Sequence, residues 1–296
     1  MDGKKNDLLW HYCKYSVFEL ILKDKKIRLS DVKQCLDKQE IKYARKQYCK
    51  LLNKDIKPII DTAPKESAEF CAAFSARTIV SKLSSHHICW IICFSESDEN
   101  ERLWEEYGDN STGISIGFNV YALINNNSRI ELIPSDIVYG KDDVKRIYSE
   151  KCETVRQIIS STFNKYAEIF KSFPGTERER EIKRQILSHE CYSQVIDLLL
   201  TDFASFKRPE FSWEKEKRLT LTSTNLRKSL VAKGAELHKT NVKNKWCYVS
   251  FDLTYAIKAI TIGKKSQYTV NDIEDFLKEK CFLTSKEIKK ITIKKL

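Results

Sequence analysis

The stretch His87-Ile88-Cys89-Trp90-Ile91-Ile92-Cys93-Phe94-Ser95 decides the fold class, because its β-branched and aromatic residues favour a strand. Its apolar side chains follow one another without alternating with polar ones, so both faces of the strand are expected to be buried. A strand that is covered on both faces lies inside a sheet. We therefore predict a buried central strand here.

Toward the N-terminus the pattern predicts two more strands with a helix between them. Leu8 to Tyr12 is the first strand, and Tyr15 to Lys23 is a helix whose apolar residues fall along one side. Lys26 to Leu29 is the second strand, which ends at Ser30-Asp31. The chain thus begins as strand, helix, strand.

Toward the C-terminus, short helices are predicted at Asn100 to Tyr107 and Val270 to Lys280. Further strands are predicted at Ile114 to Phe118, Arg129 to Leu132, Ile137 to Tyr139, Lys217 to Thr222, Trp246 to Phe251, Ile257 to Ile262 and Ile288 to Ile293.

Two helical insertions are predicted, at about residues 32–85 and 142–206. The first is charged and is expected to break at Pro58 and Pro64, because proline lacks the N–H that a helix needs. The second reads as two long helices, Asp142 to Phe170 and Thr176 to Phe206. With no repeat or low-complexity linker, we expect one compact α+β domain over residues 1–296, with a mixed, mainly antiparallel sheet.

The cysteine spacing and the lengths of the apolar segments predict the compartment of the protein and whether it binds a metal or spans a membrane. The ten cysteines form no CxxC pair and no finger spacing with histidines, so we expect free thiols in a reducing compartment and no metal. The charged N-terminus lacks a signal-peptide core, and Ile88 to Phe94 is too short to span a bilayer. The sequence therefore predicts a soluble, cytoplasmic protein with no membrane partner.

The net charge of +11 favours phosphate-rich partners, although it is spread along the chain. The lysine-rich segment Asp37 to Lys57 is typical of a solvated helix face, and a nucleic-acid stripe is the alternative. We expect a nucleic-acid or protein acceptor, and the sequence leaves the oligomeric state open.

The first candidate for chemistry is Leu9-Trp10-His11-Tyr12, in which alternation places His11 and Tyr12 on opposite sheet faces. A structural histidine is the alternative reading of His11.

The second candidate is the turn WEEYGDNSTGISIG, residues 104–117, whose glycines let backbone amides face a ligand while Trp104 and Tyr107 offer flat surfaces. Its alternative is a capped turn without a ligand.

The third candidate lies within the segment Lys207 to Leu219, where Glu214, Glu216 and Arg218 are expected on one side of a strand. Two carboxylates beside an arginine have coupled pKa values, as at many catalytic sites. An exposed, salt-bridged edge strand is the alternative.

The order and spacing of several motifs resemble the bacterial family named domain of unknown function 2971. They are LWHYC, IRLSD, the strand that ends in CFS, WEEYGDNSTGISIGF, FSWEKEKRL and the closing ITIGK. More distantly, a strand with His, a helix, a strand with Ser and a late strand with Glu-x-Glu are similar to the ADP-ribosyltransferase fold.

That second resemblance implies roles for individual residues. His11 would hold the ribose of NAD, Ser30 or Tyr107 would support the nicotinamide side, and Glu216 or Glu214 would stabilise the oxocarbenium-like centre. The predicted catalytic residues are therefore His11, Glu214 and Glu216. The predicted NAD-binding residues are Tyr12, Ser30, Trp104, Tyr107 and Arg218.

The leading hypothesis is thus an NAD-dependent ADP-ribosyltransferase-like enzyme, a toxin or phage-defence effector that modifies nucleic acid or protein, with NAD as substrate. A non-catalytic nucleotide-binding or nucleic-acid-binding sensor is the second hypothesis. The third is a Mg²⁺-dependent nuclease that uses Asp31, Asp37, Glu40 and the Glu214/Glu216 pair.

Overall fold

The structure is a computed structural model that describes residues 8–32, 38–65, 75–76, 78–79, 89–128, 131–171, 175–222, 239–240 and 244–296. Its described strands are β1 Leu9–Cys13, β2 Lys26–Asp31, β3 Cys89–Ser95, β4 Ile114–Phe118, β5 Ile133–Asp136, β6 Val138–Tyr139, β7 Phe206–Lys207, β8 Glu216–Thr222, β9 Lys239–Thr240, β10 Asn244–Ser250, β11 Ile257–Ile262 and β12 Thr292–Lys295. Its described helices are α1 Tyr15–Asp24, α2 Lys38–Asp61, α3 Glu101–Glu106, α4 Val120–Asn126, α5 Lys141–Lys171, α6 Glu177–Phe203, α7 Leu253–Ala256, α8 Val270–Glu279 and α9 Ser285–Ile288, with a 3₁₀ helix at Pro209–Glu214.

The fold is α+β and is built on a mixed, mostly antiparallel sheet. Its main path runs β12-β11-β4-β1-β3-β2-β10-β9, and β8 pairs with both β3 and β5. The β11/β12 pair is parallel, whereas the other pairings of this sheet are antiparallel. The predicted fold class is confirmed.

Strand β3 is the centre of the sheet, as its apolar run predicts, although the quoted His87 and Ile88 lie outside the described residues. One edge of β3 pairs with β8 along its whole length. The other edge is shared, since β1 pairs at Ser95 while β2 pairs at Trp90 and Ile91. The sheet therefore splits along this edge.

Apolar cores cover both faces of the sheet. One core packs α1, α4 and α8 against alternate residues of the strands, with Phe94, Ile116 and Leu219 among them. The other packs α2, α5 and α6 over Ile91. In α5 the buried side chains recur about every 3.6 residues, at Val144, Tyr148, Val155, Ile159 and Phe163, as expected of an amphipathic helix.

Several predicted boundaries were wrong. Helix α2 continues past Pro58 to Asp61, because a proline in the last turn loses only its own hydrogen bond and its φ is already helical. The first helical insertion can be compared only in part, since residues 66–74, 77 and 80–88 lie outside the described residues. Near the C-terminus, the strand predicted at Ile288 to Ile293 begins only at Thr292, because a capping box between Thr284 and Glu287 begins α9, which includes Ile288.

Two other boundary errors concern the surroundings of β8. Of the predicted strand at Arg129 to Leu132, the first two residues lie outside the described residues and the last two are not in a strand, whereas Ile133–Asp136 forms a strand that pairs with β8. Helix α6 ends at Phe203 rather than Phe206, and Phe206 and Lys207 form a short parallel pair with β6. Because the helix ends early, Lys207 lies in the short strand β7 and not directly after a helix.

Candidate functional site

Four charged side chains form a buried cluster at one end of β8. The exposed fraction is 6% for Lys207, 4% for Glu214, 5% for Glu216 and 2% for Arg218. Because isolated charges are rarely buried, such a group persists only when its members neutralise one another. Two cations and two carboxylates do so here, and we call these four residues the carboxylate cluster.

Each ion pair of the cluster includes Lys207 or Glu216. The Lys207 Nζ donates to Oε2 of Glu216 at 2.7 Å and also to Oε2 of Glu214. The Arg218 Nε donates to the other Glu216 oxygen, Oε1, at 2.6 Å, and its guanidinium also donates to the carbonyl of Ala204. Glu216 is thus held by two cations and Glu214 by one.

Glu214 reaches the cluster from the 3₁₀ helix and not from the strand. The prediction that Glu214, Glu216 and Arg218 share one strand face was wrong for Glu214, because β8 begins only at Glu216. Lys215 takes a positive φ of 43° between them, and this turn swings Glu214 back over Glu216. The Ser95 hydroxyl donates to the Glu214 carbonyl at 3.2 Å and holds the turn on β3.

The two carboxyl groups differ in protonation. Burial raises the pKa of Glu214 to about 7, helped by the Glu216 charge and opposed by Lys207. Burial also disfavours the charge of Glu216, but Arg218 and Lys207 outweigh it and hold that pKa well below its usual range. The Lys207 pKa is raised, since the two carboxylates outweigh its burial. Near neutral pH, Glu216 is ionised and Glu214 can exchange a proton.

Two exposed residues, Cys93 and Tyr107, contact the buried carboxylates of the cluster. Cys93 lies opposite Arg218 in the β3/β8 ladder, its side chain is exposed, and its thiol hydrogen-bonds the Glu216 carboxylate. The Tyr107 hydroxyl lies 3.5 Å from Oε1 of Glu214, and Tyr107 is 37% exposed. We call Cys93 and Tyr107 the rim of the cluster, because a ligand would approach the carboxylates past them.

His11 lies on the opposite face of the sheet from the carboxylate cluster. Trp10 pairs with Ser95, and Ser95 pairs with Glu216, so these three side chains share a face. Since neighbours along a strand alternate, His11 points to the other side, where its ring contacts Phe94 at 6.1 Å between centroids. The prediction that His11 acts together with Glu214 and Glu216 as a catalytic residue does not agree with this placement.

The structure gives His11 a structural role instead. Its Nδ1 donates to the carbonyl of Cys93 at 3.0 Å, at the point where β1 and β2 diverge along β3. Burial lowers the pKa of His11, while this hydrogen bond opposes the shift. The neutral His11 ring therefore provides the hydrogen-bond donor for a main-chain carbonyl at the point where β1 and β2 diverge.

Tyr12 and Trp104 lie on the cluster's face but are buried against each other, with ring centroids 5.0 Å apart. The Tyr12 hydroxyl donates to the carbonyl of Ser97 at 2.7 Å, and the Trp104 indole donates to that of Asp98 at 2.7 Å. Their predicted role as flat ligand-stacking surfaces was wrong, because packing already covers both rings.

Ser30 and Arg218 also depart from their predicted roles. Ser30 pairs with Ile91, four residues along β3 from the Ser95 level, a distance of about 13 Å. It is therefore remote from the carboxylates. Arg218 is buried and bound to Glu216, so it tunes the charge of that carboxylate rather than contacting a cofactor.

Sequence reasoning assigned no role to Lys207, Cys93 and Tyr139. Tyr139 accepts a hydrogen bond from the Glu216 main-chain N–H at 3.0 Å, and burial raises its pKa to about 12. The residues join through the pairing of β6 with β7 and of β3 with β8. No local pattern links Cys93 and Tyr139 with the Glu-x-Glu segment, from which they are far apart in the chain, although Lys207 lies only seven residues before Glu214.

A pH titration of stability tests the protonation of Glu214. Because its folded pKa of about 7 exceeds the value of about 4.3 in an unfolded chain, the native state binds more protons between these pH values. The contribution of Glu214 to stability is present below that window and is lost as the pH rises through it. We expect the stability of the wild type relative to Glu214→Gln to fall from pH 5 to pH 8, measured by urea unfolding. A difference that rises with pH would show that Lys207 keeps Glu214 ionised.

The fold and the site together define an α+β protein with a buried carboxylate cluster at the end of a central strand pair. Residues 103–219 match the family described as "Protein of unknown function (DUF2971)". The match covers less than half of the chain, contains the whole cluster and Tyr107, and excludes His11 and Cys93. It supports the resemblance to that family. No curated protein and no solved structure matches the chain.

Two further findings concern membranes and metals. Within the described ranges, none of the helices combines the length and the apolar character that crossing a bilayer requires. Among the same residues, no three His, Cys, Asp or Glu side chains are grouped to hold a metal ion. Asp37 lies outside the described residues, so the predicted nuclease set cannot be compared as a whole.

Proposed function

We propose that the protein is an enzyme that breaks the nicotinamide–ribose bond of NAD and transfers ADP-ribose to a nucleic acid or a protein, as a toxin or phage-defence effector. Its catalytic centre is Glu216 and Glu214. The observation that carries this proposal is a pair of buried carboxyl groups whose pKa values are displaced in opposite directions and which contact the exposed residues Cys93 and Tyr107. Such a pair is the usual arrangement for dividing charge stabilisation and proton transfer between two residues.

The chemistry assigns one task to each carboxyl group. As the bond from ribose C1 to nicotinamide breaks, nicotinamide leaves with the bonding electrons and positive charge develops on the sugar. An ionised Glu216 in a water-poor site stabilises that charge more in the transition state than in the ground state. The acceptor oxygen or nitrogen then bonds to C1, and Glu214 takes its proton as a general base.

The other residues that were predicted to bind NAD or to act in catalysis support this proposal to different degrees. Tyr107 stands at the rim and is exposed, so its ring can contact the nicotinamide. His11, on the other face, has no part in the proposal. The link to ADP-ribosyltransferases therefore rests on the late-strand carboxylates and not on the first-strand histidine.

The test follows label transfer from NAD to DNA, RNA or a cell lysate. We expect Glu216→Gln to lower the transfer rate about 100-fold, because it removes the charge that stabilises the transition state. His11→Ala is the matched control, since it alters a residue on the opposite face and is expected to keep the rate of the folded protein. Transfer that survives both Glu216→Gln and Glu214→Gln would overturn the proposal.

A second candidate is a non-catalytic module that holds a nucleotide or nucleic-acid end at the rim. It is favoured by the fact that both Glu216 oxygens already contact cations. Thermal stabilisation by NAD without release of nicotinamide would support this candidate against the enzyme.

The Mg²⁺-dependent nuclease has less support, because the Lys207 ammonium already lies where the Oε2 atoms of Glu214 and Glu216 converge. Activity that EDTA abolishes would identify it.

A further inference from the structure

We infer that the exposed face of α2 is a nucleic-acid-binding surface. We call this surface the basic face. It consists of six exposed cationic side chains: Lys42, Arg45, Lys46, Lys50, Lys54 and Lys57.

The cations lie on one side of the helix because of their spacing. Four of them recur every four residues, at positions 42, 46, 50 and 54. The buried residues Ala44, Tyr48, Leu52 and Ile56 recur with the same spacing two positions later, and they pack into the core beneath. A shift of two residues rotates a side chain by about 200°, so the two rows point in opposite directions. From position 42 to position 57 the basic face is about 22 Å long.

Acidic residues do not neutralise this face. None of its six cations forms an ion pair with a residue inside the described ranges. Asp55, on the same helix, is buried and bound at 2.6 Å by Arg156 of α5. Asp61 is exposed but lies at the C-terminal end of the helix. Like charges four residues apart repel one another, so the row favours a polyanion that lies along it.

The composition of the basic face favours a nucleic acid as its binding partner over a membrane or an acidic protein. A helix that binds a membrane surface inserts its apolar side, whereas the apolar side of α2 is already buried in the protein. Between Lys42 and Lys57 the exposed positions are lysine and arginine, with Asn53 among them. A nucleic-acid duplex carries about 13 phosphate charges over 22 Å, a continuous row that suits an uninterrupted basic face.

The buried side of α2, opposite the basic face, packs close to the carboxylate cluster. The Tyr48 ring stacks on Phe206 with centroids 4.9 Å apart, and Phe206 directly precedes Lys207. Burial and then the charge of Glu210 raise the pKa of Tyr43, which places the N-terminal half of α2 near the 3₁₀ helix that carries Glu214. The helix that carries the basic face therefore packs against the elements that hold the cluster. A role of the bound nucleic acid as the ADP-ribose acceptor rests on the proposed function, whereas the binding itself does not.

The test measures fluorescence anisotropy of a short labelled DNA duplex with the full-length protein, without NAD, over a range of salt concentrations. We expect Lys46→Glu combined with Lys50→Glu to weaken binding at least about 10-fold and to reduce the slope of log K against log salt by about 2. The control is Lys286→Glu combined with Lys289→Glu, which changes the net charge equally at an exposed residue of α9 and at the exposed residue that follows this helix. It is expected to weaken binding less than about 2-fold, since salt screens distant charges.

Lys46→Gln combined with Lys50→Gln removes the charges without adding acids, so its weaker binding would show that the first result is not a folding defect. Circular dichroism verifies the fold of each variant. Equal weakening by the α2 pair and the α9 pair would overturn the inference, and so would tighter binding to anionic vesicles or polyglutamate than to DNA. If the Glu216→Gln and Glu214→Gln variants both keep label transfer while the basic-face variant loses DNA binding, the proposed function fails and this inference stands.

Discussion

Replacing Arg218 with methionine is expected to lower the free energy of unfolding by about 3 to 5 kcal/mol. Methionine fills much of the space of the arginine, so the cost comes chiefly from charge. Arg218 is 2% exposed, and its loss removes the donor to Oε1 of Glu216 and to the Ala204 carbonyl. The Glu216 carboxylate then stays buried with Lys207 as its one remaining cation. Urea unfolding followed by circular dichroism measures the change.

Two further variants isolate this effect. Adding Glu216→Gln to Arg218→Met is expected to recover part of the lost stability, because a buried pair removed from both sides leaves no unpaired charge. Lys145→Met removes an exposed ion pair with Asp142 and is expected to leave the unfolding midpoint unchanged. A cost below about 1 kcal/mol for Arg218→Met would show that the cluster is hydrated rather than buried.

Gly263→Ala is expected to destabilise the protein by roughly 2 to 4 kcal/mol through overpacking. A Cβ on Gly263 would lie 2.7 Å from the carbonyl carbon of Ser111 and closer still to its oxygen. The backbone of Ser111 cannot withdraw easily, since it accepts from Lys265 N–H at 2.9 Å. It also follows Asp109 and Asn110 in a run of three positive φ angles. Thermal unfolding of the purified variant measures the cost.

Gly117→Ala provides the matched comparison for this glycine. Its Cβ would meet side-chain atoms of Trp10 at 3.0 Å and of Ala259 at 3.1 Å, and side chains yield more readily than backbone. We therefore expect a smaller loss than for Gly263→Ala. The reverse order would mean that the turn at residues 108–113 adjusts freely, and that it does not hold α3 and Tyr107 in place.

Local patterns were enough to predict most elements of the fold. The apolar run in β3, the alternation in β4 and the periodicity of α5 are each properties of a short segment, so the sequence reveals them directly. Boundaries were predicted poorly where pairing decides them. β5 lies where β8 provides a partner, and β7 begins only because β6 lies beside it.

The candidate site was predicted in part. Glu214, Glu216 and Tyr107 were proposed from the sequence, and the structure brings them together. His11 was predicted in the same cleft from the order of motifs, but order along the chain does not determine which sheet face a side chain occupies. The register of β1 with β3 determines that, and it places His11 on the far side.

The fold class, the central strand and the carboxylate pair near Arg218 could be predicted from the amino-acid sequence, because the patterns that indicate them lie in short segments. Which charged side chains meet depends on the folded structure. Lys207 joins Glu214 and Glu216 because α6 ends early and Lys215 turns the chain back. Cys93 joins them because β3 pairs with β8. Such contacts depend on strand register and burial, which a chain acquires only when it folds.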